Sequence, residues 1–361
     1  MPVDIHIVIN RPQEAVMELL SLFPHPIIQG PTAGGGNTPE QVAAVSNAGA
    51  LGSLAASLLS PDALRSQVTA IRALTDRPFL LNFFVQGTPA PAAADVQRAK
   101  DLLKPVYAAL GWDELPTPAK WCEDFAAQFE TLLELRPAVA SFTFDILTPD
   151  QVARLHAAGI AVIGTVTTIA EALAWQAAGA DAVVASGVEA GGHRGTFIGA
   201  QKDATLTTFE LLPAVVAAVR IPVIAAGGIM DGKDIKRVLA TGAKAVQMGT
   251  AFLVTNESGI HPAYKQALLT AGERPTRQTR AFSGRYARGL ENRFMLTMAE
   301  VELEVPAYPV QNALTGSIRA EAARRGDTEW MSLWCGSSVD RARGMPAARL
   351  VETLVREMQA D

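Results

Sequence analysis

The chain has 361 residues, of which 49% are hydrophobic and 19% are charged, and its formal net charge is −5 at pH 7. This length suits one large barrel or two domains, and the negative charge without a basic tail argues against a nucleic-acid partner. The two cysteines, Cys122 and Cys335, match no redox or metal motif, and no apolar run is long enough to cross a membrane. We therefore expect a cytoplasmic protein without a metal ion or a membrane contact.

Eight short apolar segments, each followed by a helical pattern, recur along the chain after an amphipathic lead-in over residues 1–22. The predicted strands are 26–30, 51–55, 79–85, 139–144, Ala161–Val166, Ala182–Ser186, 222–226 and Ala245–Met248. Thr38 and Ser60, each followed by proline, predict the starts of the first two intervening helices. Eight such units predict a TIM (β/α)8 barrel. A doubly wound open sheet is the alternative, because local patterns do not report whether a sheet closes.

Three segments fall outside the repeating units. Residues 86–137 contain two helical patterns, 94–110 and 119–135, and we expect them to form a helical insertion in a barrel domain that spans 1–270. Residues 275–345 are helical in pattern and show no clear strand, which predicts a helical lid or substrate domain over 271–345. The last segment, 346–361, predicts a helix that returns to the barrel.

Residues 221–250 carry two consecutive strand-and-turn units that end in glycine. Gly227 and Gly228 follow the seventh strand, and Gly249 and Thr250 follow the eighth. Glycines let a ligand approach the backbone, and the loops after the last two strands of a TIM barrel are a common phosphate site. We therefore predict that a cofactor phosphate binds here. The alternative is a pair of ordinary turns whose glycines serve helix packing.

The loop after the sixth strand reads GVEAGGHRG over residues 187–195. Gly191 and Gly192 would let the main chain approach a flat ligand, and His193 would supply an imidazole that titrates near neutral pH. The position at a barrel mouth favours a catalytic role for His193. The alternative is a structural histidine that hydrogen-bonds within its own loop.

Strand four ends in SFTFD, so that Thr143 and Asp145 share one face near the catalytic end of the barrel. Both are candidate catalytic residues, although Asp145 could instead cap the following turn. Asn82 is an amide within an apolar strand and needs partners if it is buried. Further along, Arg285 and Arg288 in SGRYAR could hold an anionic group, or the segment could be a solvated basic turn.

Taken together, these motifs resemble the nitronate monooxygenase family, formerly called 2-nitropropane dioxygenases. The matching segments are PIIQGPTAGGGNTPEQVAAVSNAGALG near the start, NFF at 82–84, GVEAGGHRG at 187–195, IPVIAAGGI at 221–229, QMGTAFL at 247–253 and SGRYARG at 283–289. The resemblance covers about the first 295 residues. It implies a TIM barrel with non-covalent FMN and a helical second domain.

The resemblance also implies roles for individual residues. Residues 29–32 and Asn82 would contact the flavin ring or its ribityl chain, and the glycine turns would hold the phosphate. The predicted cofactor-binding set is Gln29, Gly30, Pro31, Thr32, Asn82, Ser186, Gly191, Gly192, Gly227, Gly228, Gln247, Met248, Gly249 and Thr250. His193, Asp145 and Thr143 are the catalytic candidates, and Ser283 and Arg285 are the candidates for substrate binding.

The family reaction oxidises an alkyl nitronate with O2 to a carbonyl compound and nitrite, with electrons passing to FMN and without NAD(P)H. Two positions depart from the family pattern. Thr143 stands where a better studied branch has the histidine of SFHFG, and threonine is not a base near neutral pH. Ser186 stands where glutamine is common. The enzyme is therefore expected to act only on preformed nitronates, to use His193 or Asp145 as a relocated base, or to catalyse another FMN reaction.

Other classes of function remain open from the sequence. Relatives with this barrel include NAD(P)H-dependent quinone reductases and enoyl-thioester reductases, and a non-catalytic FMN-binding or regulatory protein is a third possibility. A metal-dependent barrel enzyme is disfavoured, because no cluster of carboxylates and histidines occurs at the strand ends. The expected partners are a small nitronate or nitroalkane and O2, and the chain is expected to be a monomer or a homodimer.

Overall fold

A computed structural model describes residues 19–360, so most of the predicted lead-in lies outside the described residues. Eight parallel strands form the barrel: β1 Ile27–Gln29, β2 Gly52–Ala55, β3 Phe79–Phe84, β4 Val139–Thr143, β5 Ala161–Val166, β6 Ala182–Ser186, β8 Val223–Ala226 and β9 Ala245–Met248. Three further strands form a separate small sheet: β7 Gly192–His193, β10 Thr276–Thr279 and β11 Ala287–Leu290.

The barrel strands follow the order β1-β9-β8-β6-β5-β4-β3-β2, and a parallel bridge between Ile28 and Leu51 joins the two ends. The Gln29 amide donates to the Leu51 carbonyl at 2.9 Å, and the Leu51 amide donates to the Ile27 carbonyl at 2.9 Å. The ring is therefore nearly closed. The TIM-barrel prediction is confirmed, and the doubly wound alternative is wrong.

Helices cover the outside of the barrel and build the regions beyond it. They are α1 Pro39–Asn47, α2 Pro61–Leu74, α3 Ala93–Leu102, α4 Lys104–Ala109, α5 Phe125–Leu135, α6 Pro149–Ala157, α7 Ile169–Ala178, α8 Thr208–Ala218, α9 Gly232–Ala240, α10 Thr250–Leu253, α11 Pro262–Leu269, α12 Arg293–Thr297, α13 Val310–Leu314, α14 Gly316–Arg325 and α15 Ala347–Gln359. Thr38 and Ser60 cap α1 and α2 through side-chain oxygens, as predicted. No helix between residues 19 and 360 has the length and apolar character needed to cross a membrane.

The prediction of a strand-free segment between 275 and 345 is wrong. Strands β10 and β11 lie there as an antiparallel pair, and β11 also pairs with β7 from the loop after β6. Their sequences, TRQT and ARGL, carry arginines and show neither an apolar run nor a clean alternation. Their pairing therefore depends on contacts that are distant in sequence, which the local pattern does not reveal.

Two hydrophobic clusters anchor the two parts of the chain. One lies between the barrel strands and their helices, and it includes Leu350 and Leu354 of α15, which packs beside α1 and α9. The other joins the 86–137 insertion to the region after the barrel around Phe282 and Phe294, whose rings stack with centroids 3.8 Å apart. The second region is thus built on its own core and is held over the barrel.

Close packing of strand β5 against helix α7 gives a first test of this fold. A Cβ added at Gly164 would lie 2.2 Å from the ring of the fully buried Trp175. We expect Gly164→Ala to lower the free energy of unfolding by about 1–3 kcal/mol through overpacking. Gly87→Ala, at an exposed site with open space around it, is the control. Equal urea midpoints for the two variants would contradict the packing described.

Candidate active site

A cavity of about 500 Å³ opens at the carboxyl ends of the barrel strands, a volume within the range of cofactor and substrate sites. The turns after β1, β8 and β9 form one side of it. The loop that carries His193 and the ends of β3 and β4 form another. Helices α13 and α14 of the second region cover it. The cavity therefore lies where TIM-barrel enzymes bind their ligands.

The glycine turns leave room that a side chain would fill. Gly227 and Gly228 have φ angles of +113° and +71°, which only glycine adopts without strain. A Cβ at Gly30 would lie 2.8 Å from the Cα of Gly249, so the turns after β1 and β9 pack backbone to backbone. By contrast, a Cβ at Gly249 would meet no atom within 4 Å and would enter open space. The amides of Gly228 and Gly249 donate to no residue that the structure describes.

His193 lies in the cavity wall and is held by Ser283. Its Nε2 is 2.9 Å from the Ser283 Oγ, and that hydroxyl donates its single proton to the Arg285 carbonyl at 3.0 Å. We therefore assign the Nε2–H tautomer to His193, with Nε2 as the donor. The other nitrogen, Nδ1, has no hydrogen-bond partner among residues 19–360, and it carries the lone pair.

Aromatic rings surround the His193 imidazole. Phe144, Tyr308 and Trp334 lie with ring centroids 5.5, 5.6 and 5.5 Å from it, and Phe84 stacks on Phe144 at 4.0 Å. Phe144 has a φ of +86°, a left-handed conformation that is strained for a bulky residue. The end of β4 therefore turns Phe144 into the cavity wall beside His193.

The surroundings of His193 disfavour its protonated form. Burial, followed by the positive charges of Arg285 and Arg319, lowers the pKa of His193 from 6.5 to about 3. The imidazole is consequently neutral across the physiological range. Among the described residues that line the cavity, none is an aspartate or a glutamate. The site therefore favours negative charge in whatever binds there.

The polar residues at the ends of β3 and β4 form a small network. Asn82 Nδ2 donates to the Ser141 Oγ at 2.9 Å and contacts the Thr143 Oγ1 at 3.4 Å. The Thr143 Oγ1 also lies 3.2 Å from the Thr165 Oγ1. Thr143 thus faces the cavity as a hydroxyl within a hydrogen-bonded set, and the structure brings no base to its position.

Most of the predicted site residues line the cavity. Those that do are Gly30, Pro31, Thr32, Asn82, Thr143, Ser186, Gly191, Gly192, His193, Gly227, Gly228, Gln247, Met248, Gly249 and Thr250. Four do not. Gln29 is fully buried and bonds to Gln41 and to the Ser53 amide, while Asp145 is exposed and accepts from the Ile146 amide.

Ser283 and Arg285 lie behind the wall rather than in it. Ser283 supports His193, and Arg285 donates to the carbonyls of Arg194 and Thr196 with its guanidinium 4.2 Å from the centre of the Phe144 ring. The prediction that Ser283 and Arg285 contact substrate therefore needs correction, since both side chains are committed to the protein. Their hydrogen bonds instead fix the wall that contains His193.

Sequence patterns did not reveal the part of the wall that the second region contributes. Six of its lining residues follow the i, i+3 and i+4 pattern: Tyr308, Asn312, Gly316, Arg319, Ala320 and Ala323. This is the spacing of one helix face, carried across the short break between α13 and α14. An aromatic, two polar and three small residues do not form an apolar stripe. The helical spacing is present in the sequence. Because these positions differ in polarity, however, they form no hydrophobic pattern that would have predicted a shared face.

The barrel and its cavity define a TIM-barrel enzyme, and comparisons with known proteins specify the class. A profile of the nitronate monooxygenase family matches residues 16–357. A probable nitronate monooxygenase of Staphylococcus haemolyticus is 41% identical over 337 residues, covering 93% of this chain and 94% of the relative. The chain belongs to the nitronate monooxygenase family, whose members are flavin-dependent oxidoreductases.

Solved structures agree with this assignment. A nitroalkane oxidase from Streptomyces ansochromogenes superposes with a TM-score of 0.87 at 43% identity, and the match covers 94% of this chain and 97% of that one. FabK from Thermotoga maritima superposes with a TM-score of 0.74 at 32% identity, with 95% of each chain covered. The barrel and the second region are thus shared with both proteins.

The support of His193 by Ser283 can be tested through stability. Ser283→Ala would leave the buried Nε2–H without an acceptor, which costs about 1–3 kcal/mol. We expect the free energy of unfolding to fall by that amount in urea titrations. Ser332→Ala is a matched control, because Ser332 also lines the cavity and its hydroxyl bonds to no described residue. A Ser283 variant as stable as the Ser332 variant would remove the basis for the tautomer assignment.

Proposed function

We propose that this protein binds FMN and oxidises preformed alkyl nitronates with O2 to a carbonyl compound and nitrite. The observation that carries the proposal is the neutral imidazole of His193, which lies near two arginines in a cavity whose described lining has no carboxylate. His193, the imidazole enclosed by the cavity wall, is a poor base at neutral pH, and the second lining histidine, His261, is exposed with its Nδ1 accepting from the Ala263 amide. Two arginines near His193 make the cavity favourable for an anion. A nitronate is already ionised, so its oxidation requires no proton abstraction by the protein.

The residues present fit an FMN molecule. The free amides of Gly228 and Gly249 and the open space at Gly249 suit a phosphate group, which accepts backbone hydrogen bonds at such turns. Gln247 and Asn82 offer amide groups at the cavity wall that could meet polar edges of a ring. When bound, the flavin would supply the electron-accepting chemistry that no side chain of the protein provides.

The chain's own residues would then bind and shield the substrate. The aromatic side chains around His193 exclude water, and the neutral His193 Nδ1 can accept one hydrogen bond from a bound molecule. A base with a pKa of about 3 is poorly matched to a carbon acid at pH 7, so His193 would be a weak proton acceptor for a neutral nitroalkane. Asp145 is exposed and outside the cavity, which leaves it unsuited to that task.

Product analysis tests this proposal. The FMN-loaded protein should consume O2 with ethyl or propyl nitronate and release nitrite and the corresponding aldehyde in equal amounts. Nitrite and aldehyde assays beside an oxygen electrode measure all three quantities. Oxygen uptake without nitrite release would contradict the proposed reaction.

An NAD(P)H-dependent reductase is the second candidate, and the similarity to FabK from Thermotoga maritima favours it. It predicts rapid NADH or NADPH oxidation in the presence of a quinone or an enoyl thioester. Steady turnover of either nucleotide, with no nitrite from nitronates, would establish the reductase instead.

A further inference from the structure

Arg319 is a cationic side chain in the cavity wall without a carboxylate partner. Its Nη2 donates to the Asn312 carbonyl at 2.7 Å and to the Asn312 Oδ1 at 3.1 Å. Its Nε is buried and has no acceptor among the described residues. No ion pair within residues 19–360 involves this guanidinium. One neutral asparagine therefore holds a full positive charge in the cavity.

The other arginines near the site differ from Arg319. Arg194 donates to three carbonyls, those of Ser186, Gly187 and Ala204, at 2.7–3.0 Å. Arg285 is occupied by two carbonyls, as described above, and neither arginine lines the cavity. Arg319 is the one arginine among the described cavity-lining residues, and no acidic residue accompanies it there. Its charge is thus free to meet a bound molecule.

The helix that carries Arg319 also leaves space for that molecule. Gly316, Ala320 and Ala323 lie on the same face of α14 and line the cavity with Arg319. A Cβ at Gly316 would meet no atom within 4 Å. Small residues around a single guanidinium form a recess in which Nη1, the nitrogen that neither Asn312 nor burial occupies, is left to donate to an anionic oxygen.

We propose that Arg319 is a substrate-binding residue that donates to an anionic oxygen of the substrate. This inference rests on the proposed function and deepens it, because a nitronate has anionic oxygens in its own reacting group. A carboxylate at the far end of a substituted nitronate has the same chemistry. Both would gain charge-assisted hydrogen bonds from a guanidinium that the protein leaves uncompensated.

The test compares two substrates of equal chain length, the nitronates of 1-nitrobutane and of 4-nitrobutanoate. In R319Q, we expect kcat/KM to fall about 10- to 100-fold, mainly through KM, because a hydrogen bond to a charged group is lost. R319K should recover part of that loss, since it keeps the charge without the planar fork. R324Q, at an exposed arginine of the same helix that pairs with Glu321, is the control and should resemble the wild type.

The pattern of loss identifies the anion. A loss with both nitronates assigns Arg319 to the nitronate oxygens, and a loss with the carboxylated substrate alone assigns it to the carboxylate. R319Q values equal to the wild type with both substrates, at equal FMN content, would overturn the inference. If the wild type turns over neither nitronate, the proposed function fails. Calorimetric binding of butanoate to the wild type and R319Q then decides the role of Arg319, with weaker binding to R319Q expected.

Discussion

Gly249→Val should yield a folded protein that no longer retains FMN. Gly249 has φ −92° and ψ −69°, which an L-residue can adopt, and its added side chain would project into open cavity space. The substitution therefore removes ligand volume without imposing backbone strain. If the turns after β8 and β9 hold the phosphate, at least two hydrogen bonds to a charged group are lost, and FMN affinity should fall about 100-fold or more.

Fluorescence titration of the apoprotein with FMN measures this loss, and thermal unfolding of the apoprotein shows whether the fold survives. Gly87→Val is the control, because Gly87 is exposed and has open space around it but lies outside the cavity. An FMN dissociation constant for Gly249→Val within about threefold of the wild-type value would place the phosphate elsewhere.

The second large effect concerns the ionisation state of the substrate. We expect kcat/KM for a preformed nitronate to exceed that for the neutral nitroalkane by about 100-fold or more, since a well-matched general base contributes about 10²–10⁴-fold. Stopped-flow assays that start from either form, before the two equilibrate, give the ratio. Comparable rates with both forms would show that an effective base exists.

The low pKa of His193 also predicts how activity and stability depend on pH. Because the pKa of folded His193 is about 3, kcat/KM for a preformed nitronate should show no inflection near pH 6.5. The unfolded histidine takes up its proton near pH 6.5, so the contribution of His193 to stability is present above that pH. It is lost progressively as the pH falls from 6.5 toward 3. His193→Gln should flatten that part of the stability profile.

Thr143→His offers the converse experiment. It would place an imidazole where a better studied branch of the family has one, at the position whose hydroxyl now lies 3.4 Å from the Asn82 Nδ2. We expect the rate with the neutral nitroalkane to rise, while the rate with the nitronate stays near the wild-type value. No gain with the neutral form would mean that the missing base is not what limits the wild-type enzyme.

Local patterns were sufficient to predict the barrel and the glycine turns. Each βα unit carries its own apolar run, cap and turn, and Gly227, Gly228 and Gly249 follow strands directly. Their arrangement at one end of the barrel follows from parallel strand order alone. The same logic placed His193 and Thr143 at the cavity, because both stand at or just after strand ends.

Side-chain direction and long-range pairing could not be predicted in the same way. Gln29 is the last residue of β1, and Asn82 lies near the end of β3. Asn82 lines the cavity, whereas the Gln29 side chain turns toward Gln41 on helix α1. Phe144 adopts a positive φ, which breaks the alternation that would have carried Asp145 toward the cavity. Arg319 lies 126 positions after His193 and reaches the same cavity only because the second region folds back over the barrel.

Anaerobic mixing tests the central claim most directly. The FMN-loaded protein is mixed in turn with propyl nitronate, neutral 1-nitropropane and NADH, and the flavin absorbance is followed. Fast loss of oxidised flavin with the nitronate, and much slower change with the other two, is the result expected if the cavity selects an anion and lacks a matched base. Rapid reduction by NADH with no response to the nitronate would contradict it.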